Sequence, residues 1–269
     1  MDSNSRGYES FYREFDSPLM RQLRQEAYGE DIGQHSWVVA GELRSDIPRL
    51  EFSPSTRFLD LGCGPCGPLT FVMSSVGCRG SGTDVSPSAL AAGRARAESL
   101  GLQSAISLRE ADLNEPLPFE THAFDAVMAL DVVLHLRDRA ELFREVARVL
   151  ALGRRFLFTD AGVVTGSLSD QDISRRSVHG YTQFVAPEFN QRMLEAAGFR
   201  LLETEDRTAS VVKNAQGRLA AIRAHWGELE ELDSAGELER QQRYLETVIE
   251  LSGRQALSRI MYLAESRAV

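Results

Sequence analysis

The stretch Arg57-Phe-Leu-Asp-Leu-Gly-Cys-Gly-Pro-Cys-Gly67 decides the fold. An apolar run of strand length leads to Asp60, then into a turn built on Gly62, Gly64 and Gly67. Glycines at this spacing let the backbone turn sharply off a strand and bring a ligand against the main chain where a helix begins. By spacing alone, the turn suits a dinucleotide or a ligand of quite different charge. Two details separate them. A pyrophosphate rests on N–H donors at a helix N-terminus, and Pro65 and Pro68 each lack that donor. A carboxylate two residues before the first glycine opposes a phosphate and favours an ammonium group.

Outward from this turn, strand and helix signals alternate as a mostly parallel sheet requires. Strands are expected near 57–61, 79–84, 105–110, 124–130 and 155–160. Ser86-Pro87 opens a helix over 87–100 with the hydroxyl as N-cap and proline in the first turn. Gly101 suits its C-cap. A helix over 187–197 precedes an antiparallel strand near 199–206, and a last strand near 257–264 returns to the sheet.

Asp60-Leu-Gly-Cys-Gly64 resembles motif I of the class I S-adenosylmethionine-dependent methyltransferases. Gly82-Thr-Asp84-Val-Ser86, Ala111-Asp112-Leu113, Phe124-Asp125-Ala-Val-Met-Ala-Leu130 and Phe156-Leu-Phe-Thr-Asp160 follow in the family's order. The match spans about 25–200; Ala151-Leu-Gly-Arg154 departs from the family's Lys-Pro-Gly-Gly turn. The implied fold is a Rossmann-like sheet, and the implied cofactor is S-adenosylmethionine. Asp60, Gly62, Cys63 and Gly64 would hold its methionine part, and Asp84 with Val85 its ribose, a place where dinucleotide folds also use a carboxylate. Asp112 and Leu113 would meet the adenine, with Leu130, Trp37 and Tyr28 completing the contacts.

Methyl transfer from a sulfonium needs positioning above all, and an acid or base only when the nucleophile arrives protonated. A titratable group is therefore expected after the fourth strand, and Leu130-Asp-Val-Val-Leu-His135-Leu136 supplies one. Asp131 and His135, four apart, would share a face of a helical turn, with the carboxylate fixing the imidazole tautomer. This stretch resembles the Arg-Asp-Ala-Ile-Leu-His-Leu segment of phosphoethanolamine methyltransferases, whose histidine acts with a tyrosine. Tyr12 is the candidate tyrosine here. Those enzymes grip phosphate with tyrosine, arginine and lysine. Here Ala161 follows Asp160, and only Tyr181 of His179-Gly180-Tyr181-Thr182 keeps the pattern, so an organic acceptor touching Tyr181, His179 and Phe15 fits better.

The chain has 269 residues, 43% apolar, enough for one domain with insertions. Residues 1–50 are expected to form a helical lid on a domain spanning 51–269, with cap insertions near 162–186 and 208–250. The acidic 208–250 stretch is expected to present a solvated face. A net charge of −9 argues against a broad nucleic-acid surface. No apolar run has membrane-span length, and the polar start lacks a secretory leader. Three cysteines point to a reducing, cytoplasmic setting. Cys63 and Cys66 lack the second pair that a zinc site needs, so no metal is expected. One lysine among thirty basic residues fits a GC-rich bacterial genome and specialised metabolism. N- or O-methylation of a small molecule is the leading expectation. C-methylation of an isoprenoid or aromatic carbon, a nicotinamide oxidoreductase and a silent S-adenosylmethionine-binding protein stay open. So does a homo-oligomer built through 208–250 or the N-terminal segment.

Overall fold

The computed structural model describes Tyr12, residues 15–178 and residues 180–267. His179, a candidate substrate contact, lies outside the described residues. Seven strands, β1 (Arg57–Leu61), β2 (Arg79–Asp84), β3 (Ile106–Glu110), β4 (Phe124–Leu130), β5 (Leu150–Val164), β6 (Phe199–Asp206) and β7 (Leu257–Ser266), lie in the order β3-β2-β1-β4-β5-β7-β6. The first five pair in parallel, and β7 runs antiparallel to both β5 and β6. The reversed strand is thus the last one, while β6 points the same way as β1–β5.

Period-two alternation divides the central strands between two cores. Leu59, Leu61, Val127 and Ala129 face one, with α5 (Arg139–Val149) and α7 (Phe189–Ala196) packed over it. Phe58, Ala126, Met128 and Leu130 face the other, beneath α2 (Ala40–Arg49), α3 (Gly67–Val76) and α4 (Pro87–Ser99). Ser86 caps α4 as expected, accepting from the Ala89 amide. β5 runs well beyond the expected 155–160, because its antiparallel pairing with β7 continues to Val164.

A third apolar cluster lies over the strand ends. It joins α1 (Pro18–Tyr28) and Trp37 to α8 (Thr208–Ala224), α9 (Trp226–Glu230) and α10 (Ala235–Gly253). The 208–250 region is therefore not a solvated face: Val211, Ala215, Leu219, Leu238, Leu245 and Val248 are buried. Glu228, Glu230, Glu231 and Glu239 are exposed on helices whose apolar side is buried, while Glu237 and Glu246 border the large cavity at the strand ends. Between β5 and α7, the short α6 (Asp170–Arg176) starts with a Ser169–Asp172 capping box. Among the described residues, no helix is long and apolar enough to cross a membrane.

Candidate active site

The strand order reverses between β1 and β4, and that is where open α/β sheets place their ligands. A cavity of about 940 Å³ lies at these strand ends. Its walls gather Tyr12, Trp37, Asp60, Gly62, Cys63, Gly64, Asp84, Val85, Leu130, Asp131 and His135, residues scattered over more than 120 positions of sequence.

The glycine turn is shaped by what packs on it. Gly62 has φ +66°, and a Cβ there would strike Val132. At Gly67 a Cβ would fall 2.0 Å from the carbonyl oxygen of Gly33, so the N-terminal lead-in seats directly on the start of α3. Pro65 and Pro68 both line the cavity, leaving the turn poor in amide donors.

Two carboxylates face the cavity at this turn. Asp60 is buried at the end of β1, and among the described residues no hydrogen bond or ion pair reaches its carboxylate. Burial and the neighbouring Asp84 push its carboxyl well above the usual range. The Asp84 carboxylate is held by the backbone: one oxygen accepts from the Gly64 amide at 2.8 Å, the other from the Ser86 amide at 2.9 Å. Burial raises its carboxyl too, and those amides partly offset the rise. An ammonium or a pair of hydroxyls would relieve both groups, whereas a pyrophosphate would add charge of the wrong sign.

Asp131 and His135 do not form the expected helical pair. Asp131 is left-handed, φ +56°, and the chain then tightens into a single 3₁₀ turn over Val133–His135. The Asp131 carboxylate accepts from the Trp37 amide at 2.9 Å, the Thr159 hydroxyl at 2.7 Å and Arg259 at 2.7 Å. Arg259, buried in β7, also pairs with Glu42 at 2.8 Å. Asp131 therefore ties the N-terminal segment to the sheet. The His135 tautomer is set instead by the Tyr181 carbonyl, 3.1 Å from Nδ1. A carbonyl only accepts, so Nδ1 carries the hydrogen and Nε2 keeps its lone pair. Burial lowers the His135 pKa, and the nearby Arg176 guanidinium lowers it further. The histidine is thus held neutral, with a basic nitrogen beside the cavity.

Other expected residues lie elsewhere. Phe15 and Tyr28 are under the N-terminal segment, lining a separate cavity of about 70 Å³; the Tyr28 hydroxyl donates to the Ser36 carbonyl. Leu113 is in the sheet core, and exposed Asp112 caps the Asn114 amide. Neither lines the large cavity. The Tyr181 ring is 45% exposed and reaches the site through its carbonyl alone. Sequence patterns missed His35, whose Nδ1 lies 3.3 Å from the Tyr12 hydroxyl, and the wall formed by Arg218 and Tyr244. They also missed the fully buried Arg139–Asp160 pair, 2.5 Å apart, which holds Asn190 and the Gln183 carbonyl behind His135. Asp160 ending an apolar strand was the one visible signal.

Residues 59–158 match the family described as a methyltransferase domain. The sheet order and the glycine turn at the switch point agree with this match: residues 59–158 carry a methyltransferase domain of the kind the motifs resemble. Methyltransferase GfsG of Streptomyces halstedii is 32% identical over 175 residues, covering 62% of this chain and 62% of that protein. Phosphoethanolamine N-methyltransferase 1 of Zea mays is 26% identical over 217 residues, covering 81% of this chain but 42% of that protein. The chain thus spans less than two thirds of the length of either relative. Among solved structures, Haemonchus contortus phosphoethanolamine N-methyltransferase 2 shares the fold with a TM-score of 0.80 at 19% identity, over 96% of this chain and 59% of that one.

Proposed function

We propose that this chain transfers a methyl group from S-adenosylmethionine to a nitrogen or oxygen of a small organic molecule in bacterial specialised metabolism. The observation that carries the proposal is the buried, unpartnered Asp60 beside Asp84 at a donor-poor glycine turn. That pair suits the ammonium and ribose of this cofactor and disfavours a nicotinamide dinucleotide. When bound, the cofactor supplies an electrophilic methyl on a sulfonium, so the protein's part is to align, desolvate and manage one proton.

Asp60 holds the ammonium, Asp84 the ribose, and Gly62, Cys63 and Gly64 the main-chain cradle, with Val85 and Leu130 packing against it. Asp131 fixes Trp37 so that the N-terminal segment acts as a lid, and the 208–253 helices act as a cap; both exclude water. His135 is the general base, its Nε2 taking the proton from the acceptor's amine or hydroxyl. Tyr12, at the lid edge beside His35, orients that acceptor. Such proton transfer is worth about 10²–10⁴ in rate.

Calorimetric titration with S-adenosylhomocysteine and with NADH tests this. The wild type should bind the first and ignore the second, and Asp84→Ala should weaken the first by at least about tenfold. Binding of NADH alone would sink the proposal; unchanged affinity in Asp84→Ala would remove the ribose assignment.

A further inference from the structure

Besides the two carboxylates, the cavity is lined by arginines. Trp37 from the N-terminal segment and Tyr244 from α10 stack with ring centres 6.5 Å apart and planes 28° from parallel. An arginine lies over each ring: Arg218 of α8 at 5.2 Å from Trp37, and Arg176 of α6 at 5.1 Å from Tyr244. The result is an arginine–indole–phenol–arginine stack of which Arg218, Trp37 and Tyr244 line the cavity and buried Arg176 does not.

The charges in that stack are not neutralised as others nearby are. Arg175, Arg240 and Arg243 also line the cavity, but each is paired with a carboxylate: Glu250 at 2.8 Å, Glu237, and Glu239 at 3.3 Å. Among the described residues no carboxylate pairs with Arg218 or with Arg176. Arg176 is buried and donates to the Tyr244 hydroxyl at 2.7 Å. Arg218 is half-buried, borders both the large cavity and the small apolar one, and among the described residues meets the Trp37 ring and the Tyr28 hydroxyl. A guanidinium stacked on an indole keeps its edge donors free for a planar or tetrahedral oxyanion.

We infer that Arg218 binds an oxyanion on the acceptor, a carboxylate or a phosphate monoester, with Arg176 adding its field from behind the aromatic pair. The inference rests on the methyltransferase proposal and narrows its acceptor to molecules carrying a negative group apart from the methylated atom. The cavity is then two-ended, carboxylates receiving the cationic cofactor and arginine receiving the anionic acceptor. The acceptor's nucleophile is left between them, on the side where His135 has its free nitrogen.

The test uses the protein saturated with S-adenosylhomocysteine and titrated with benzoate, phenyl phosphate and neutral benzyl alcohol. The wild type should bind one of the anions at least about tenfold tighter than the alcohol, the worth of a charge-assisted hydrogen bond. Arg218→Gln should erase that preference, and Arg218→Lys should restore part of it. Benzoate against phenyl phosphate separates the two oxyanions. Equal binding of anion and alcohol by the wild type overturns the inference. So does a tenfold loss of S-adenosylhomocysteine affinity in Arg218→Gln, which would assign the arginine to the cofactor's own carboxylate. A wild type that binds no S-adenosylhomocysteine defeats the methyltransferase proposal itself; one that binds it without anion preference defeats this inference alone.

Discussion

On one side of the cavity, Asp60 and Asp84 stand where β1 and β2 stop, each placed by a strand five or six residues long. On the other side, Trp37, Arg218 and Tyr244 meet from three helical or loop segments more than two hundred residues apart at the extremes. The first side inherits its geometry from the sheet ladder, which fixes direction and register together. The second is assembled by apolar packing and a few specific polar ties: Asn214 donates to the Trp37 carbonyl at 2.6 Å, Arg24 clasps Asp31 at 2.7 Å, and Arg96 of α4 holds Asp16. The two sides differ in how a single substitution will be felt. At the strand ends it should strike stability or chemistry sharply; in the cover it should loosen a junction and leave the sheet intact.

The largest effect belongs to the pillar under His135. Asp160→Ala leaves the fully buried Arg139 guanidinium without its carboxylate and frees Asn190. Removing one partner of such a pair costs about 3–5 kcal/mol. Urea unfolding should show that loss; a change below about 1 kcal/mol would mean water reaches Arg139 and the pillar is soft.

Next is the chemistry on the same side. His135→Ala should lower kcat by about a hundredfold or more while S-adenosylhomocysteine affinity holds. Turnover near the wild-type level would return the residue to packing. Because burial and Arg176 depress its pKa, the imidazole is the neutral base at and above neutral pH. The wild-type kcat should therefore rise with pH through a value below that of an ordinary histidine, then stay flat. A rate that falls over that window would oppose the base assignment.

Asp60→Asn sharpens the contrast differently, because it separates stability from binding. An acid whose folded pKa lies above its unfolded value holds its proton more tightly in the native state. Its stabilising contribution is present below the unfolded pKa and is lost as pH rises through the folded one. Above its unfolded pKa the buried Asp60 carboxyl therefore destabilises the ligand-free protein. The amide should raise its melting temperature and weaken S-adenosylhomocysteine by about tenfold, since a charged hydrogen bond is lost. A variant both less stable and equally tight would contradict the role given to Asp60.

This contrast also explains what the sequence revealed. β1, β2, β4 and β6 lie where alternation and glycine placed them, because short-range pattern dictates a strand and its end. Asp60, Gly62, Gly64 and Asp84 ride on those ends, so their gathering in one cavity was legible. Asp131 misled because spacing of four implies a shared face only on an α-helix, and a left-handed residue followed by a 3₁₀ turn breaks that rule. Phe15 and Tyr28 belong to the same N-terminal segment as Tyr12, which does reach the cavity; how that segment packs on α8, not its sequence, decides which side chains look inward. Arg218 was silent because its surroundings are supplied wholly by distant segments.

The smallest effect lies in the cover, at the junction of α1 and α9. His225 contacts Glu228 through Nδ1 at 2.9 Å and Glu26 through Nε2 at 3.1 Å. A neutral imidazole donates from one nitrogen only, so both contacts are hydrogen bonds only when it is protonated. The bond to Glu228, then that to Glu26, raises its pKa. A raised folded pKa gives a contribution that is complete below the ordinary imidazole value and disappears as pH rises through the folded one. Because the side chains are near solvent, the effect should be confined to the junction. Amide exchange across Pro18–Tyr28 should quicken between about pH 5 and 8 beyond its intrinsic pH dependence, with no resolvable change in global melting temperature. His225→Gln should remove that excess. If the whole protein melted with the junction, the cover would be no more separable than the strand ends, and the difference between the two sides would be one of position alone.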